Sequence, residues 1–315
     1  MHICLRPDGL GKTHTMEGPD HDRGVNHRAL QELFRLRDDR VAAGNMAISM
    51  KLSMLEVYNE SVIDLLDNAG TSPATLEQRR TLEIRMGKQG VYVENLMEVE
   101  VVNEKDVTDL MRLGKSHRSV GAHDFNEHSS RSHLVLSLAI ECQDKAQRRT
   151  TTSKLHLIDL AGSERVSKTA ASGQRLKEAQ NINRSLSALG DVIAALGANS
   201  KHVPYRNSKL TFLLQESLSG QSKVLMFVNV SPVQWNAWET LCSLNFASRC
   251  RNVALGLAKA NVAASSPSAP TGASAPSKSG AGSSGNNGST LPPRSGTGAP
   301  GSVTKGGGPQ RLVYG

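Results

Sequence analysis

Lys154-Leu155-His156-Leu157-Ile158-Asp159-Leu160-Ala161-Gly162-Ser163-Glu164-Arg165 is the stretch whose reading decides the fold of this chain. Its first half is an apolar run of strand length that ends in a carboxylate, and a glycine follows three residues later. A strand apolar on both faces belongs inside a sheet that is covered on both sides. Outward from it, Met46–Tyr58, 132–142 and 223–230 carry the same alternating or fully apolar signature. Helical periods lie between these runs. In 103–120, Val107, Leu110, Met111 and Gly114 share one face, and Asn103 with Asp106 forms a capping pair. In 173–197, Leu176, Ala179, Ile182, Leu186, Leu189, Ile193 and Leu196 make a stripe at three and four spacing. Further helices are expected at 207–218 and 236–251, the second opened by Asn236 with Glu239 as a capping box. Strands separated by helices predict an α/β fold with a mixed central sheet and helices on both faces.

The chemistry at the end of the deciding strand is specific. An acid in that position is where a P-loop NTPase holds the carboxylate that organises Mg²⁺ and its waters, which makes Asp159 the Walker B candidate. Gly162 can bring its amide close to a γ-phosphate as no residue with a β-carbon can. Near the N-terminus, Gly9-Leu10-Gly11-Lys12-Thr13 ends like the phosphate loop G-x-x-x-x-G-K-[ST]. The first half of that loop departs from the pattern: Arg6 stands where the first glycine belongs, and Pro7 has no amide proton to donate. Only Ile3, Cys4 and Leu5 remain to form the strand before the loop, so the sheet is expected to be incomplete at its N-terminal side.

Four strings occur in order: Gly11-Lys12-Thr13-His14-Thr15-Met16-Glu17-Gly18, Asn126-Glu127-His128-Ser129-Ser130-Arg131-Ser132-His133, Asp159-Leu160-Ala161-Gly162-Ser163-Glu164-Arg165 and Asn181-Ile182-Asn183-Arg184-Ser185-Leu186. Together they resemble the signature set of the kinesin motor domain, from about Gly9 to Leu257. The far end, Glu239 to Gly256, and Gly24-Val25-Asn26 with Arg28-Ala29-Leu30 are similar to the C-terminal-motor, minus-end-directed group.

The resemblance implies a P-loop NTPase-type sheet, ATP and Mg²⁺ as cofactors, and a motor ATPase working on microtubules. It implies that Gly9, Gly11, Lys12, Thr13, His14, Asn126 and Asp159 bind nucleotide. Thr13, Ser130 and, through water, Asp159 serve the metal, while Ser129 and Ser130 contact metal and phosphate. Arg131 and Glu164 form the ion pair that closes the site, and Gly162 senses the γ-phosphate. The helix at 173–197 is then the relay helix, with Asn183 near its nucleotide-facing start. His202-Val203-Pro204-Tyr205-Arg206-Asn207-Ser208-Lys209-Leu210-Thr211 resembles the microtubule-binding segment, so Arg206 and Lys209 are expected to meet acidic tubulin, with Lys168 and Arg184 as further contacts. The resemblance gives no role to nucleic acid or membrane insertion. In the C-terminal-motor group the neck and coiled coil precede the motor, so a dimer would form through a segment upstream of this chain.

Composition sets the frame. From Lys259 on, Gly, Ser, Pro and Ala dominate and five basic residues appear with no acidic one, so 259–315 is expected to be a disordered tail and 1–258 the motor part. Of the net charge of +8, five units sit in that tail, leaving +3 on the folded part. Cys4, Cys142, Cys242 and Cys250 lack C-x-x-C spacing and lie in apolar stretches, which predicts buried thiols in a reducing, cytoplasmic setting. No apolar run approaches bilayer-spanning length. Two other readings stay open beside the motor. One is a nonenzymatic microtubule-binding module, favoured by Arg6 and by the lack of an adenine-contacting segment before the loop. The other is a signalling GTPase, which requires an N-K-x-D string that the sequence does not contain.

Overall fold

The computed structural model describes residues 1–5, 11–67, 80–88, 90–120, 131–162, 174–220, 222–253 and 261–264. Strands β1 (His2–Leu5), β2 (Met46–Tyr58), β3 (Ser61–Asp64) and β4 (Thr81–Leu82) are joined in the sheet by β8 (Ser132–Asp144), β9 (Arg149–Asp159) and β10 (Leu225–Val228). Their order is β10-β1-β9-β8-β2-β3-β4. β1 runs parallel to β9 and β10, while β9, β8, β2, β3 and β4 alternate antiparallel, so the sheet is mixed. β5 (Ile84–Gly87) and β6 (Gly90–Val93) form a separate hairpin, and β7 (Val99–Glu100) pairs with β2. The helices are α1 (Lys12–Met16), α2 (Val25–Ala42), α3 (Glu104–Val120), α4 (Gln174–Gly197), α5 (Lys209–Leu213), α6 (Gln215–Leu218) and α7 (Ala237–Arg251).

The strand period of two divides the apolar residues between two cores. Met50, Leu52, Met54, Leu134, Leu136, Leu138 and Leu157 face Leu30 and Phe34 of α2 and Val107 and Met111 of α3. Their sequence neighbours Leu55, Val57, Val135 and Ile158 face Leu189, Val192 and Ile193 of α4 and Phe246 and Cys250 of α7. Each of these fully buried side chains contributes about 1.5–3 kcal/mol of transfer free energy. Gly114 lies where α3 crosses β2; a β-carbon there would stand 2.4 Å from the Met54 sulfur.

The capping pair at α3 forms as read: Asn103 Oδ1 accepts from the Asp106 amide at 2.9 Å and Asp106 Oδ2 from the Asn103 amide at 3.2 Å. Asn236 makes no such cap. A 3₁₀ turn at Gln234–Asn236 leaves it at φ −102° and ψ 13°, outside the extended geometry an N-cap uses, and its amide donates instead to Ser231 Oγ. The single helix expected at 207–218 is a 3₁₀ turn, Tyr205–Asn207, followed by α5 and α6, which break at Leu214.

Two other expectations are corrected. β11 (Asn261–Ala264), placed by composition in the tail, pairs antiparallel with Arg149 to Thr152 of β9. A short Val/Ala run suffices for a ladder when a neighbouring strand offers its backbone. Of the described thiols only Cys250 is buried; Cys142 is half-buried, Cys242 is exposed, and all three are free. Their apolar stretches are strand and helix edges as well as cores. Among the described residues no helix is long and apolar enough to cross a membrane.

Candidate functional site

The register brings one set of strand ends together. Cys4 lies opposite Asp159 and Leu5 opposite Val228, while β8 starts at Ser132 beside the end of β2 at Tyr58. The carboxyl ends of β1, β9, β10 and β2 therefore share one edge, the side on which α/β sheets place ligands.

α1 starts at this edge. Gly11 takes φ +89°, a left-handed conformation suited to glycine, and its carbonyl accepts from the Thr15 amide at 2.9 Å. Asn229, just past β10, donates to Thr15 Oγ1 at 2.9 Å and ties the helix to the sheet. Lys12, in the first turn, is only 7 % exposed. A lysine held inside at a helix start, beside the strand that ends in Asp159, is a donor set that fits a phosphate. Behind α1 the chain folds back tightly, and the Gly24 amide donates to the Glu17 carbonyl at 2.6 Å.

Beneath the edge runs a buried polar network. Glu56 of β2 is wholly buried and accepts from Arg118 Nε of α3 at 3.0 Å; the same guanidinium reaches Ser132 Oγ at 2.8 Å and the Ser132 carbonyl at 3.2 Å. His133, 2 % exposed, is bound at both ring nitrogens. The Ala161 amide, just after β9, donates to Nδ1 at 2.9 Å, and Nε2 lies 2.7 Å from Ser185 Oγ of α4. Burial, reinforced by the charges of Lys12 and Arg118, lowers the pKa of the His133 ring to about 3. Burial likewise lowers His156, which faces Ser137 Oγ at 2.7 Å, to about 4.

Among the residues expected at the site, Gly11, Lys12 and Asp159 converge on this edge, and Gly162 is buried directly beyond Ala161. His14 points outward and is exposed, because α1 buries its opposite face through Lys12 and Met16. Arg131 is half-buried at the start of β8. Thr13 is placed by its backbone in α1. Gly9, Asn126, Ser129, Ser130, Glu164 and Lys168 lie outside the described residues.

The basic segment is also in place. Arg206 is exposed, with its guanidinium 5.2 Å from the Phe212 ring centre, and Arg184 is exposed on α4. Lys209 Nζ lies 2.9 Å from the exposed Glu83 carboxylate, where solvent screens the pair, and its amide donates to Glu60 at 3.0 Å. The two-residue turn Asn59-Glu60, both at positive φ, thus holds α5 through Glu60 and α4 through a hydrogen bond from Asn181 to Asn59.

Sequence reasoning missed the network below the edge. Its one visible signal was Glu56, an acid inside an otherwise apolar strand; His133 and Ser185 stood in quoted strings without a role.

The kinesin motor domain profile matches residues 7–253. The chain is 51% identical over 255 residues to the kinesin-like protein KIN-14E of Oryza sativa subsp. japonica, covering 81% of this chain and 23% of that protein. It is 51% identical to KIN-14R of Arabidopsis thaliana, again covering 81% and 23%. The chain thus spans about a quarter of the length of these curated relatives. Among solved structures it is similar to a KIF14 motor dimer with AMP-PNP in complex with a microtubule, at 36% identity and a TM-score of 0.75, covering 82% of this chain and 72% of that one. It is also similar to the C-terminal motor of Kar3Vik1, at 37% identity and a TM-score of 0.68, covering 79% and 63%. Profile, identity and fold agree: the chain belongs to the kinesin motor-domain family.

Proposed function

We propose that this chain is the nucleotide- and track-binding part of a microtubule motor that couples ATP hydrolysis to movement, minus-end-directed as in the C-terminal-motor group it resembles. The observation that carries the reading is the buried Lys12 at the start of α1, on the same sheet edge as Asp159 and the Ala161-Gly162 turn, which is itself bonded through His133 to α4. The bound nucleotide with Mg²⁺ supplies an in-line phosphoryl transfer whose charge the metal neutralises. Lys12 holds the phosphates, Thr13 and Asp159 serve the metal, and Gly162 leaves room for a close backbone approach. Arg131 pairs with Glu164 to close the site, and Ser129 and Ser130 contact metal and phosphate, as in the family it resembles. Arg206, Lys209, Arg184 and Lys168 face acidic tubulin. The KIF14 dimer on a microtubule supports track binding and dimerisation. The motor part is residues 1–258, to whose sheet β11 adds a strand, the basic Gly/Ser/Pro/Ala-rich 259–315 is otherwise a tail, and the setting is the cytoplasmic microtubule array.

A second reading, a nonenzymatic microtubule-binding module, is favoured by Arg6 and Pro7 in the first half of the phosphate loop. Microtubule co-sedimentation with Mg·ADP and with Mg·AMP-PNP, paired with an ATPase assay, separates the two. The motor reading expects stronger pelleting with Mg·AMP-PNP and an ATPase stimulated by microtubules. Pelleting that ignores nucleotide, with no ATPase, would establish the module instead.

A further inference from the structure

His133 is a neutral ring with its proton placed by its neighbours. The Ala161 amide can only donate, so Nδ1 must accept, and the ring proton sits on Nε2. Nε2 then donates to Ser185 Oγ, and the Ser185 hydroxyl in turn donates to the Ile182 carbonyl at 2.7 Å. Every bond in the series Ala161, His133, Ser185, Ile182 has one direction and one partner. It begins one residue before Gly162 and ends inside α4, crossing the start of β8 on the way.

We propose that His133 is a positioning residue that acts as a strut, transmitting displacement of the Ala161-Gly162 turn to α4. The inference deepens the motor reading and rests on it. Three features favour a strut over inert core. The ring is nearly inaccessible and packed at both ends, so movement of one partner strains the other. Protonation would set Nδ1–H against the Ala161 N–H, so the arrangement persists across the neutral range. Finally, α4 has room on the sheet-facing side that carries Ser185: farther along it Leu189, Ile193 and Leu196 border an apolar cavity of about 30 Å³, lined also by Ile3, Met226 and Cys250.

The test uses Ser185→Ala, which removes the acceptor, and Ser185→Thr, which keeps the hydroxyl, in the full chain. In the nucleotide-free protein, Ser185→Ala should speed hydrogen exchange at the Ala161 amide about tenfold, as expected for losing one buried bond, and Ser185→Thr should restore it. Exchange within twofold of wild type in Ser185→Ala overturns the strut, whatever the protein does with nucleotide. In co-sedimentation, wild type should bind microtubules more tightly with Mg·AMP-PNP than with Mg·ADP. Ser185→Ala should shrink that ratio at least several-fold through the lost coupling, and Ser185→Thr should recover it. A Ser185→Ala ratio equal to wild type overturns the proposal as well. A wild-type ratio of one with a normal exchange response overturns the motor reading and the strut's role in it, while leaving the hydrogen-bonded link as found.

Discussion

Acid should unfold this protein through two histidines, and the structure sets the size of the effect. His133 and His156 are lowered by burial from 6.5 to about 3 and about 4. Both therefore stay neutral in the native state at about pH 5, while in the unfolded chain each carries almost a full proton. Their stability contribution is complete above about pH 6.5 and falls by about 1.4 kcal/mol per pH unit below it, until the folded-state values are reached. From about pH 7 to about pH 5 each ring costs about 2 kcal/mol and the pair about 4 kcal/mol, a large share of a typical 5–15 kcal/mol. The assay is urea unfolding at the two pH values for wild type, His156→Asn and His133→Asn. Asparagine keeps a hydrogen-bonding atom near the Nδ1 position of each ring but does not titrate. Each variant should lose about 2 kcal/mol of the pH-dependent difference, whatever its stability at neutral pH. If all three proteins lose stability in parallel between the two pH values, the rings titrate as exposed imidazoles and the buried network does not exist.

Other perturbations are equally direct. Glu56→Gln should destabilise by about 3–5 kcal/mol because it leaves Arg118 buried against a neutral partner. Adding Arg118→Met should recover part of that loss in a double-mutant cycle read by denaturation; additive losses would show that the two side chains do not interact. Gly24→Ala would put a β-carbon 2.6 Å from the Met16 carbonyl carbon and 2.7 Å from the Glu17 amide nitrogen, backbone that cannot step aside. It should cost about 1–3 kcal/mol by overpacking, and an unchanged melting temperature would mean that the turn behind α1 is not packed as described. Lys12→Ala should weaken binding of a fluorescent Mg·ADP analogue at least about tenfold, the loss expected for a charged hydrogen bond. Unaltered affinity would remove Lys12 from the site.

What was legible in the sequence follows from the range of the signals. β2, β8 and β9 are long enough for period-two patterning to fix their faces, and α3 carries its own cap. α2 escaped because its buried stripe is only Asn26, Leu30 and Phe34 in a run otherwise charged and polar. β3 to β7 have two to four residues each, too few for a period to emerge. Lys12, Asp159 and Gly162 were readable because their chemistry is written in local strings. The Glu56–Arg118 and His133–Ser185 pairs were not, since 62 and 52 residues separate the partners and only the packing of α3 and α4 on the sheet brings them together.

The distribution of polar groups through the sheet explains why coupling belongs at this edge. Through their middles β2, β8 and β9 bury mainly Leu52, Met54, Leu136, Leu138 and Leu157, which pack but cannot signal direction, with Ser53 and the His156–Ser137 pair as polar exceptions. Glu56, Ser132, His133 and Lys12 are all buried where those strands end. Burying them costs desolvation that leucines would not, so these side chains specify the arrangement of this edge more than they stabilise it. A cationic residue at 133 would be repelled by Lys12 and Arg118 in a medium that screens them poorly. Serine or asparagine in its place could not span from the Ala161 amide to the α4 hydroxyl. A neutral imidazole spans that gap with an acceptor at one end and a donor at the other, and both ends are used. The one proton pattern that satisfies both ends is unchanged across neutral pH, so this link responds to the position of the Ala161-Gly162 turn and not to the acidity of its surroundings.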